Sequence, residues 1–261
     1  MVTKKERTEK KTWDPQFKRR VYVRNRSSLS HVEKPYLDLL DHYKLKYLDE
    51  PDRSFLSPRP LLVEIGFGNG RILSEFARRY PDWNCLGVDV YKPGIAQLIK
   101  QCEQLKLKNV RILMNEGHTV LEQMPNRSID KLWVFFPDPW PKTKHHKRRL
   151  VTPEFVDLVS YKVRGNRYIN LATDADDYAL EIHRAFMDHG LFWGGKSRRL
   201  KGLPISKYER RGQRLKHNMH YFEFTRLDVE IARPQNPSVG NQIQSEPICP
   251  VALLPPPPTP K

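Results

Sequence analysis

The sequence predicts an α/β protein in which a mostly parallel β-sheet carries helices on both faces. Three observations predict this fold: short runs that are mainly apolar without alternation, amphipathic helical stretches between them, and a glycine-rich turn directly after the first run. A strand that is apolar throughout is typical of a parallel sheet, because helices cover both of its faces. The alternation of such strands with helices therefore indicates a doubly covered sheet.

Five apolar runs are predicted as strands, at residues 61–65, 85–90, 110–114, 129–136 and 167–172. Between them, apolar residues recur with the spacing of a helical face. These faces contain Ile72, Leu73, Phe76 and Ala77, then Ile95, Leu98, Ile99 and Cys102, then Tyr178, Ala179, Ile182 and Phe186. Pro93 suits the start of the second helix, because the first helical residues need no backbone N–H.

The positive charge is concentrated in three segments. The chain has 261 residues and a formal net charge of +16, to which residues 1–26 contribute +7, residues 142–149 +5 and residues 196–216 +8. The rest of the chain is therefore net −4. Basic patches on an otherwise ordinary globular chain favour a nucleic-acid partner, although basic tails also serve solubility or bind anionic lipid.

Composition divides the chain into a basic N-terminal arm (1–30), one folded domain (31–230) and a Pro-rich tail (231–261). No apolar run reaches the ~18 residues of a membrane span. The three cysteines have neither metal-ligand spacing nor disulfide density. We therefore expect a cytoplasmic protein that does not enter the membrane. Adjacent His145 and His146 lack the i, i+4 spacing of a helical zinc pair, so no metal site is expected.

Acidic residues occur where the predicted strands end. Glu64 lies in the first strand and Asp89 in the second, while Glu116 follows the third and Asp138 follows the fourth. The carboxyl ends of parallel strands meet at one edge of a sheet, which is where such sheets bind ligands. We therefore expect these four carboxylates at one site.

The turn after the first strand reads E-I-G-F-G-N-G, from Glu64 to Gly70. Its glycines permit positive φ angles and a close approach of ligand to backbone. A dinucleotide oxidoreductase would favour a third glycine where Arg71 stands, and Glu64 would repel a pyrophosphate. S-adenosylmethionine, which is cationic and carries no phosphate, suits the turn better. Asp89 would accept from its ribose hydroxyls and Glu116 from its adenine amino group.

Residues 135–150, F-F-P-D-P-W-P-K-T-K-H-H-K-R-R-L, combine an acid, an aromatic ring and cations. Asp138 stands between two prolines at the end of the fourth strand. Trp140 is interpreted either as a base-stacking ring or as a buried lid over the cofactor. Cations that contact phosphates fix position and affinity more than they read sequence. The predicted phosphate contacts are Lys142, Lys144, Lys147, Arg148 and Arg149.

Together these motifs resemble the bacterial tRNA (guanine-N7-)-methyltransferase family. The resemblance rests on E-I-G-x-G-x-G, the second-strand acid, F-P-D-P-W-x-K-x-x-H-x-K-R-R and a downstream A-T-D, and it extends over residues 30–227. It implies a Rossmann-like class I methyltransferase fold with a mostly parallel seven-stranded sheet. It also implies S-adenosylmethionine as cofactor and tRNA as partner, for a monomer or homodimer. The implied reaction methylates N7 of guanine 46 in the tRNA variable loop.

The resemblance also implies roles for individual residues, with Asp138 at the catalytic position. The implied cofactor-binding residues are Glu64, Gly66, Gly68, Asp89, Glu116 and Asp138. The implied substrate-binding residues are Lys142, Asp174, Ser206, Lys207, Tyr208 and Glu209. This sequence departs from common members of the family in having Ser206 for Thr, and in exchanging Asp and Glu at positions 89 and 116. Each exchange keeps the hydroxyl or the acceptor.

Two of these residues also have ordinary structural interpretations. Asp174 opens a predicted helix and suits an N-cap. Glu209 is the one acid among nine cations in residues 196–216, which suits an internal salt bridge.

Guanine N7 carries a free lone pair, so its methylation needs no prior removal of a proton. We therefore assign Asp138 to orienting the guanine and stabilising its developing positive charge, rather than to general-base catalysis. Two other functions remain open at this point. One is a non-catalytic RNA-binding protein on a methyltransferase fold; the other is a nicotinamide-dependent oxidoreductase, which Glu64 and Arg71 disfavour.

Overall fold

The computed structural model describes residues 29–45, Phe55 and 59–229. The predicted N-terminal arm, apart from its last two residues, and the Pro-rich tail lie outside the described residues. The domain boundaries at residues 30 and 230 therefore stay predictions.

Seven strands of the described chain form one sheet in the order β3-β2-β1-β4-β5-β7-β6. Strands β1 to β5 pair in parallel, whereas β7 is antiparallel to both β5 and β6. The predicted seven-stranded, mostly parallel sheet of a class I methyltransferase is confirmed. The strands are β1 Leu61–Ile65, β2 Asn84–Val88, β3 Val110–Leu113, β4 Ile129–Phe135, β5 Val163–Thr173, β6 Phe192–Lys196 and β7 His220–Arg226.

Helices connect the parallel strands, and the predicted apolar faces are buried. The helix that contains Pro93 begins at Lys92, one residue earlier, so the proline is in its first turn. A 3₁₀ helix spans Thr143–Arg148. The α-helices are α1 Lys34–Leu37, α2 Leu40–Tyr43, α3 Arg71–Arg79, α4 Lys92–Leu105, α5 Gly117–Gln123, α6 Pro153–Lys162, α7 Asp176–Met187 and α8 Lys207–Arg214. The described helices include none that is long and apolar enough to cross a membrane.

All five predicted strands form. The largest difference between predicted and observed bounds is at the start of β5, which was predicted at residue 167. It begins at Val163, which pairs with Ile129 before an irregularity brings Lys131 opposite Tyr168. Strands β6 and β7 were not predicted from their own residues. β6 contains two consecutive glycines, and β7 buries only alternate side chains, so neither is an apolar run.

The sheet separates two apolar clusters, because successive strand residues point to opposite faces. Val63 and Val134 lie in the cluster beneath α5, α6 and α7. Leu62 and Trp133 lie in the cluster beneath α3 and α4. The strand order reverses at β1, which lies between β2 and β4. Such a reversal opens a crevice at the carboxyl ends of the strands, and the site lies there.

Candidate active site

The turn after β1 holds three glycines in the left-handed backbone region. Gly66, Gly68 and Gly70 have φ angles of +74°, +60° and +71°. A Cβ at Gly66 would meet no atom within 4 Å, so open space lies beside the backbone there. A Cβ at Gly94 would clash with the carbonyl oxygen of Gly68, so the first turn of α4 packs directly on this loop. The predicted loop for close approach of a ligand is present.

Asp89 ties this glycine turn to the end of β2. Its Oδ2 accepts a hydrogen bond from the backbone N–H of Gly68 at 2.9 Å, and its Oδ1 accepts one from the N–H of Tyr91 at 2.9 Å. The backbone N–H of Val90 also bonds this carboxylate. Its two oxygens carry four lone pairs in all, so capacity for about one more hydrogen bond remains. Asp89 therefore shapes the turn and retains acceptor capacity for a ligand.

Glu64 is buried at the end of β1, where its Oε2 has no hydrogen-bond partner. Burial, together with the nearby charge of Asp89, raises the pKa of Glu64 to about 8. The pKa of Asp89 is raised to about 6, mainly by burial and to a smaller extent by the charge of Asp138, although backbone N–H groups lower it. Three of the four predicted acids therefore lie within electrostatic reach of one another. Crowded carboxyls of this kind favour the binding of a cation.

Glu116, the fourth acid, is partly exposed and lies between β3 and α5. Its Oε2 accepts a hydrogen bond from the Thr119 hydroxyl at 3.3 Å. It therefore lies after a strand end, as predicted.

Asp138 lies on a turn with a strained backbone. Phe136 and Trp140, on either side of it, have φ angles of +54° and +46°, a region that large side chains rarely adopt. The N–H of Phe136 donates to the carbonyl oxygen of Ala172 at 2.8 Å, which joins the turn to β5. Strain of this kind persists only where surrounding contacts hold it. The position of Asp138 is therefore fixed by the fold.

Trp140 is buried, with 4% of the residue exposed. The guanidinium of Arg148 lies 4.9 Å from the ring centroid, and the ring of His145 packs edge-on at 6.0 Å. Of the two interpretations of Trp140, burial is therefore the one observed. A ring enclosed in this way is not available to stack on a base.

Arg149, one of the predicted phosphate contacts, is buried in an ion-pair network. It is 4% exposed, and its guanidinium contacts the carboxylates of Asp177 and Glu181, the latter at 2.7 Å. Its Nε also donates to the carbonyl oxygen of Pro139 at 2.8 Å. These partners belong to α7 and to the turn that bears Asp138. Burial and these ion pairs engage the guanidinium inside the protein. They favour a structural role over the predicted phosphate contact, which stays a prediction.

The other predicted phosphate contacts lie toward the solvent. Lys142, Lys144 and Lys147 are exposed along the 3₁₀ helix and the residue before it. Arg148 is half-buried over the Trp140 ring. The lysines therefore form a cationic surface directly after the Asp138 turn.

Ser206 and Glu209 form the N-terminal capping box of α8. The Ser206 hydroxyl accepts from the Glu209 N–H at 3.0 Å, and the Glu209 carboxylate accepts from the Ser206 N–H at 3.3 Å. Glu209 is 2% exposed and is also bound by Arg199 and Tyr221. The carboxylate therefore makes the internal salt bridge that its sequence context suits, and its direct contact with substrate stays a prediction. Lys207 and Tyr208 follow the cap and are exposed.

Asp174 does not cap α7. That helix begins at Asp176, and its N-cap residue is Ala175, which makes no side-chain cap. The Oδ2 of Asp174 instead contacts Nδ1 of His217 at 2.9 Å. Asp174 follows β5 and His217 follows α8, so this pair joins the end of β5 to the end of α8.

Three residues that sequence reasoning did not single out belong to this site: Arg199, His217 and Tyr221. Arg199 lies within a run of cations, where nothing marks one residue as paired. Tyr221 lies in β7, a strand that the apolar pattern does not reveal. His217 has no motif of its own, and only the pairing with Asp174 reveals it.

The comparisons with known proteins agree with this geometry. Residues 58–222 match the family described as "Putative methyltransferase". A tRNA (guanine-N(7)-)-methyltransferase from Nitrosomonas europaea is 36% identical over 215 residues, which cover 79% of this chain and 96% of that protein. A protein of the same name from Legionella pneumophila (strain Paris) is 34% identical over 216 residues, or 78% of this chain and 91% of its own.

A solved structure shows the same fold at low identity. The 16S rRNA methyltransferase KamB superimposes with a TM-score of 0.52 at 16% identity, covering 70% of this chain and 95% of that chain. This likeness concerns the fold alone. The sequence matches extend over most of the chain and include the E-I-G-x-G-x-G turn and the Asp138 turn. The chain therefore belongs to the tRNA (guanine-N(7)-)-methyltransferase family.

Proposed function

We propose that this chain transfers a methyl group from S-adenosylmethionine to N7 of guanine 46 in the variable loop of tRNA. The names of its relatives support tRNA and guanine N7 as the target. The expected location is the cytoplasm, where tRNA is found, and the expected assembly is a monomer or homodimer.

One observation supports the cofactor above all others: the buried Glu64 carboxyl, whose Oε2 lacks a partner beside the open glycine turn. An ammonium group placed there would donate to Oε2 and compensate the burial of its charge. Asp89 would accept from a ribose hydroxyl and Glu116 from the adenine amino group, as the resemblance to the family implies. Glu64, Gly66, Gly68, Asp89 and Glu116 would therefore hold S-adenosylmethionine, which supplies an activated methyl group on a sulfonium.

The protein's own contribution to the reaction is positioning and electrostatics. The lone pair of guanine N7 is the nucleophile, so no residue has to remove a proton. Asp138, held on its strained turn, would accept from the N1–H and amino group of the guanine and stabilise the positive charge that develops on the ring. Most of the acceleration would come from alignment of N7 with the methyl carbon in a site shielded from water.

The cationic surface after the Asp138 turn would hold the RNA backbone. Lys142, Lys144 and Lys147 are exposed and lie on the same segment as Asp138. Phosphate contacts from such residues fix the register of the RNA without reading its sequence. Asp174 and Tyr208, which the resemblance assigns to substrate, would also contact the tRNA.

The test uses the purified full chain, methyl-labelled S-adenosylmethionine and two unmodified tRNA transcripts. The transcripts are identical except that one carries adenine in place of guanine 46. We expect label in 7-methylguanine in the first transcript, located at position 46 by cleavage of the chain at the methylated base, and no label in the second. Equal labelling of both transcripts would refute the position. Binding of the first transcript without any transfer of label would instead favour a non-catalytic RNA-binding protein.

A further inference from the structure

The carboxylate of Glu209 accepts hydrogen bonds from three different residues around the start of α8. It accepts from Nε of Arg199 at 2.5 Å, from the Tyr221 hydroxyl at 2.8 Å and from the Ser206 N–H at 3.3 Å. Nη2 of Arg199 reaches its second oxygen at 3.4 Å. Arg199 precedes α8, Tyr221 belongs to β7 and Ser206 caps α8. The carboxylate therefore fixes the start of α8 to the sheet.

Arg199 holds the connection to α8 as well as Glu209. Its Nη1 donates to the carbonyl oxygen of Leu200 at 3.2 Å, and its Nη2 donates to that of Leu203 at 2.8 Å. Leu200 and Leu203 pack on the apolar cluster beneath α3 and α4. One guanidinium thus organises both the loop and the helix cap. Its planar fork makes this possible, since a lysine ammonium could not reach these acceptors together.

The capping box sets the positions of the Lys207 and Tyr208 side chains. Tyr208 directly precedes Glu209, and a Cβ at Gly68 would lie 3.6 Å from a ring carbon of Tyr208. The ring therefore lies against the glycine turn that we assign to the cofactor. Lys207 lies between Tyr208 and the N-cap residue Ser206. A shift of the Glu209 carboxylate would move both Tyr208 and Lys207.

We propose that Arg199 is a positioning residue: through Glu209 it holds the Ser206–Lys207–Tyr208 element over the glycine turn, and so sets the affinity for tRNA. This inference rests on the proposed function. The charge of residues 196–216 suggests that its cations contact nucleic acid. The contacts that the structure shows for Arg199 are instead made within the protein. Arg198, its exposed neighbour, provides a matched comparison.

The experiment compares Arg199→Met, Arg199→Lys and Arg198→Met in the full chain, after the wild type has been shown to methylate tRNA. We expect Arg199→Met to raise the KM for tRNA about tenfold while kcat changes less than about twofold, because Asp138 lies on another element. Arg198→Met removes the same charge and should raise the KM less than about threefold. The salt dependence of tRNA binding should be the same for Arg199→Met as for the wild type, because no phosphate contact is lost.

Arg199→Lys separates positioning from phosphate binding. A lysine keeps the charge and would serve a phosphate nearly as well, whereas it cannot form the fork to Glu209, Leu200 and Leu203. We therefore expect Arg199→Lys to show most of the loss seen in Arg199→Met. Wild-type KM in Arg199→Lys, or equal KM in Arg198→Met and Arg199→Met, would overturn the proposal.

Thermal melts identify any variant that fails to fold. If Arg199→Met does not fold, Tyr221→Phe takes its place, since it removes a single hydroxyl donor to Glu209. A rise of about threefold in the KM for tRNA is then expected, and an unchanged KM would overturn the proposal. A wild-type enzyme that transfers no methyl group would refute the proposed function instead, so the two failures are distinguishable.

Discussion

Nε of Arg149 donates a hydrogen bond to the carbonyl oxygen of Pro139 across 2.8 Å. The residue that ends the cationic run thus holds the turn that presents Asp138. The same guanidinium pairs with Asp177 and Glu181 of α7. Arg149, which the sequence predicts to contact tRNA, therefore supports the turn that bears Asp138.

Replacement of this guanidinium should weaken both the fold and catalysis. We expect Arg149→Met to lower the free energy of unfolding by about 1–3 kcal/mol, because the half-exposed Asp177 and Glu181 lose a partner and the Pro139 carbonyl loses its donor. The turnover number should fall as well, since the strained turn loses a contact that holds it. Urea denaturation and steady-state kinetics measure the two effects. Lys147→Met is the control: it removes the same charge from an exposed position and should leave the free energy of unfolding unchanged.

Asp138→Asn should separate catalysis from binding. The amide keeps the size of the side chain but cannot stabilise positive charge on the guanine, and we expect kcat to fall at least about 100-fold. The Kd for tRNA should change less than about threefold, because the lysine contacts remain. Single-turnover kinetics and filter binding measure the two quantities. Equal losses in rate and affinity would contradict the role assigned to Asp138.

Glu64 should make the stability of the protein depend on pH. Its pKa is about 8 in the folded chain, above the ordinary value of 4.5, so the unfolded chain loses this proton first. Stability from the bound proton is therefore full below pH 4.5 and is lost as the pH rises towards 8. Glu64→Gln stays neutral, and at pH 8 it should be more stable than the wild type by about 1–3 kcal/mol. Urea denaturation at pH 5 and pH 8 tests this: a stability difference that does not grow with pH would contradict it.

Loss of the proton on Glu64 should show whether the bound cofactor contacts this carboxyl. S-adenosylmethionine carries an ammonium that favours the ionised form of Glu64, so its binding at pH 7 should release protons. Calorimetry in two buffers with different ionisation enthalpies measures the number released. We expect Glu64→Gln to bind the cofactor at least about tenfold more weakly and to release fewer protons. Identical proton release by wild type and variant would show that Glu64 does not contact the bound cation.

The exposed lysines after the Asp138 turn should govern the salt dependence of tRNA binding. Lys144→Gln with Lys147→Gln removes two proposed phosphate contacts and should reduce the slope of log K against log salt by about 2. The matched control is Lys106→Gln with Lys108→Gln. Those lysines follow α4, which starts beside the site and ends at the amino ends of the strands, away from the site. The control should therefore keep the wild-type slope. A similar change in both pairs would indicate a general charge effect without specific contacts.

The alternation of apolar strands with amphipathic helices determined the α/β fold. Most side chains inside a doubly covered sheet are apolar on both faces, so β1, β2 and β4 can be recognised from the sequence as apolar runs. The glycines after Glu64 were equally readable, because few other residues adopt their φ angles. Strands β6 and β7 are not apolar runs and were not recognised in this way. β6 contains Gly194 and Gly195, and β7 buries only every second side chain.

The sequence by itself determined which acids gather at the site, since Glu64, Asp89 and Asp138 all occur at the carboxyl ends of parallel strands. Only the tertiary structure decided what the cations do. Arg149 and Lys147 look alike in a run of charges, yet one is buried against α7 and the other is exposed. Arg199 likewise differs from its exposed neighbour Arg198 because it binds Glu209 and the carbonyl oxygens of Leu200 and Leu203. The function of a charge depends on which carboxylates and carbonyls the fold brings beside it, and those partners are distant in the chain.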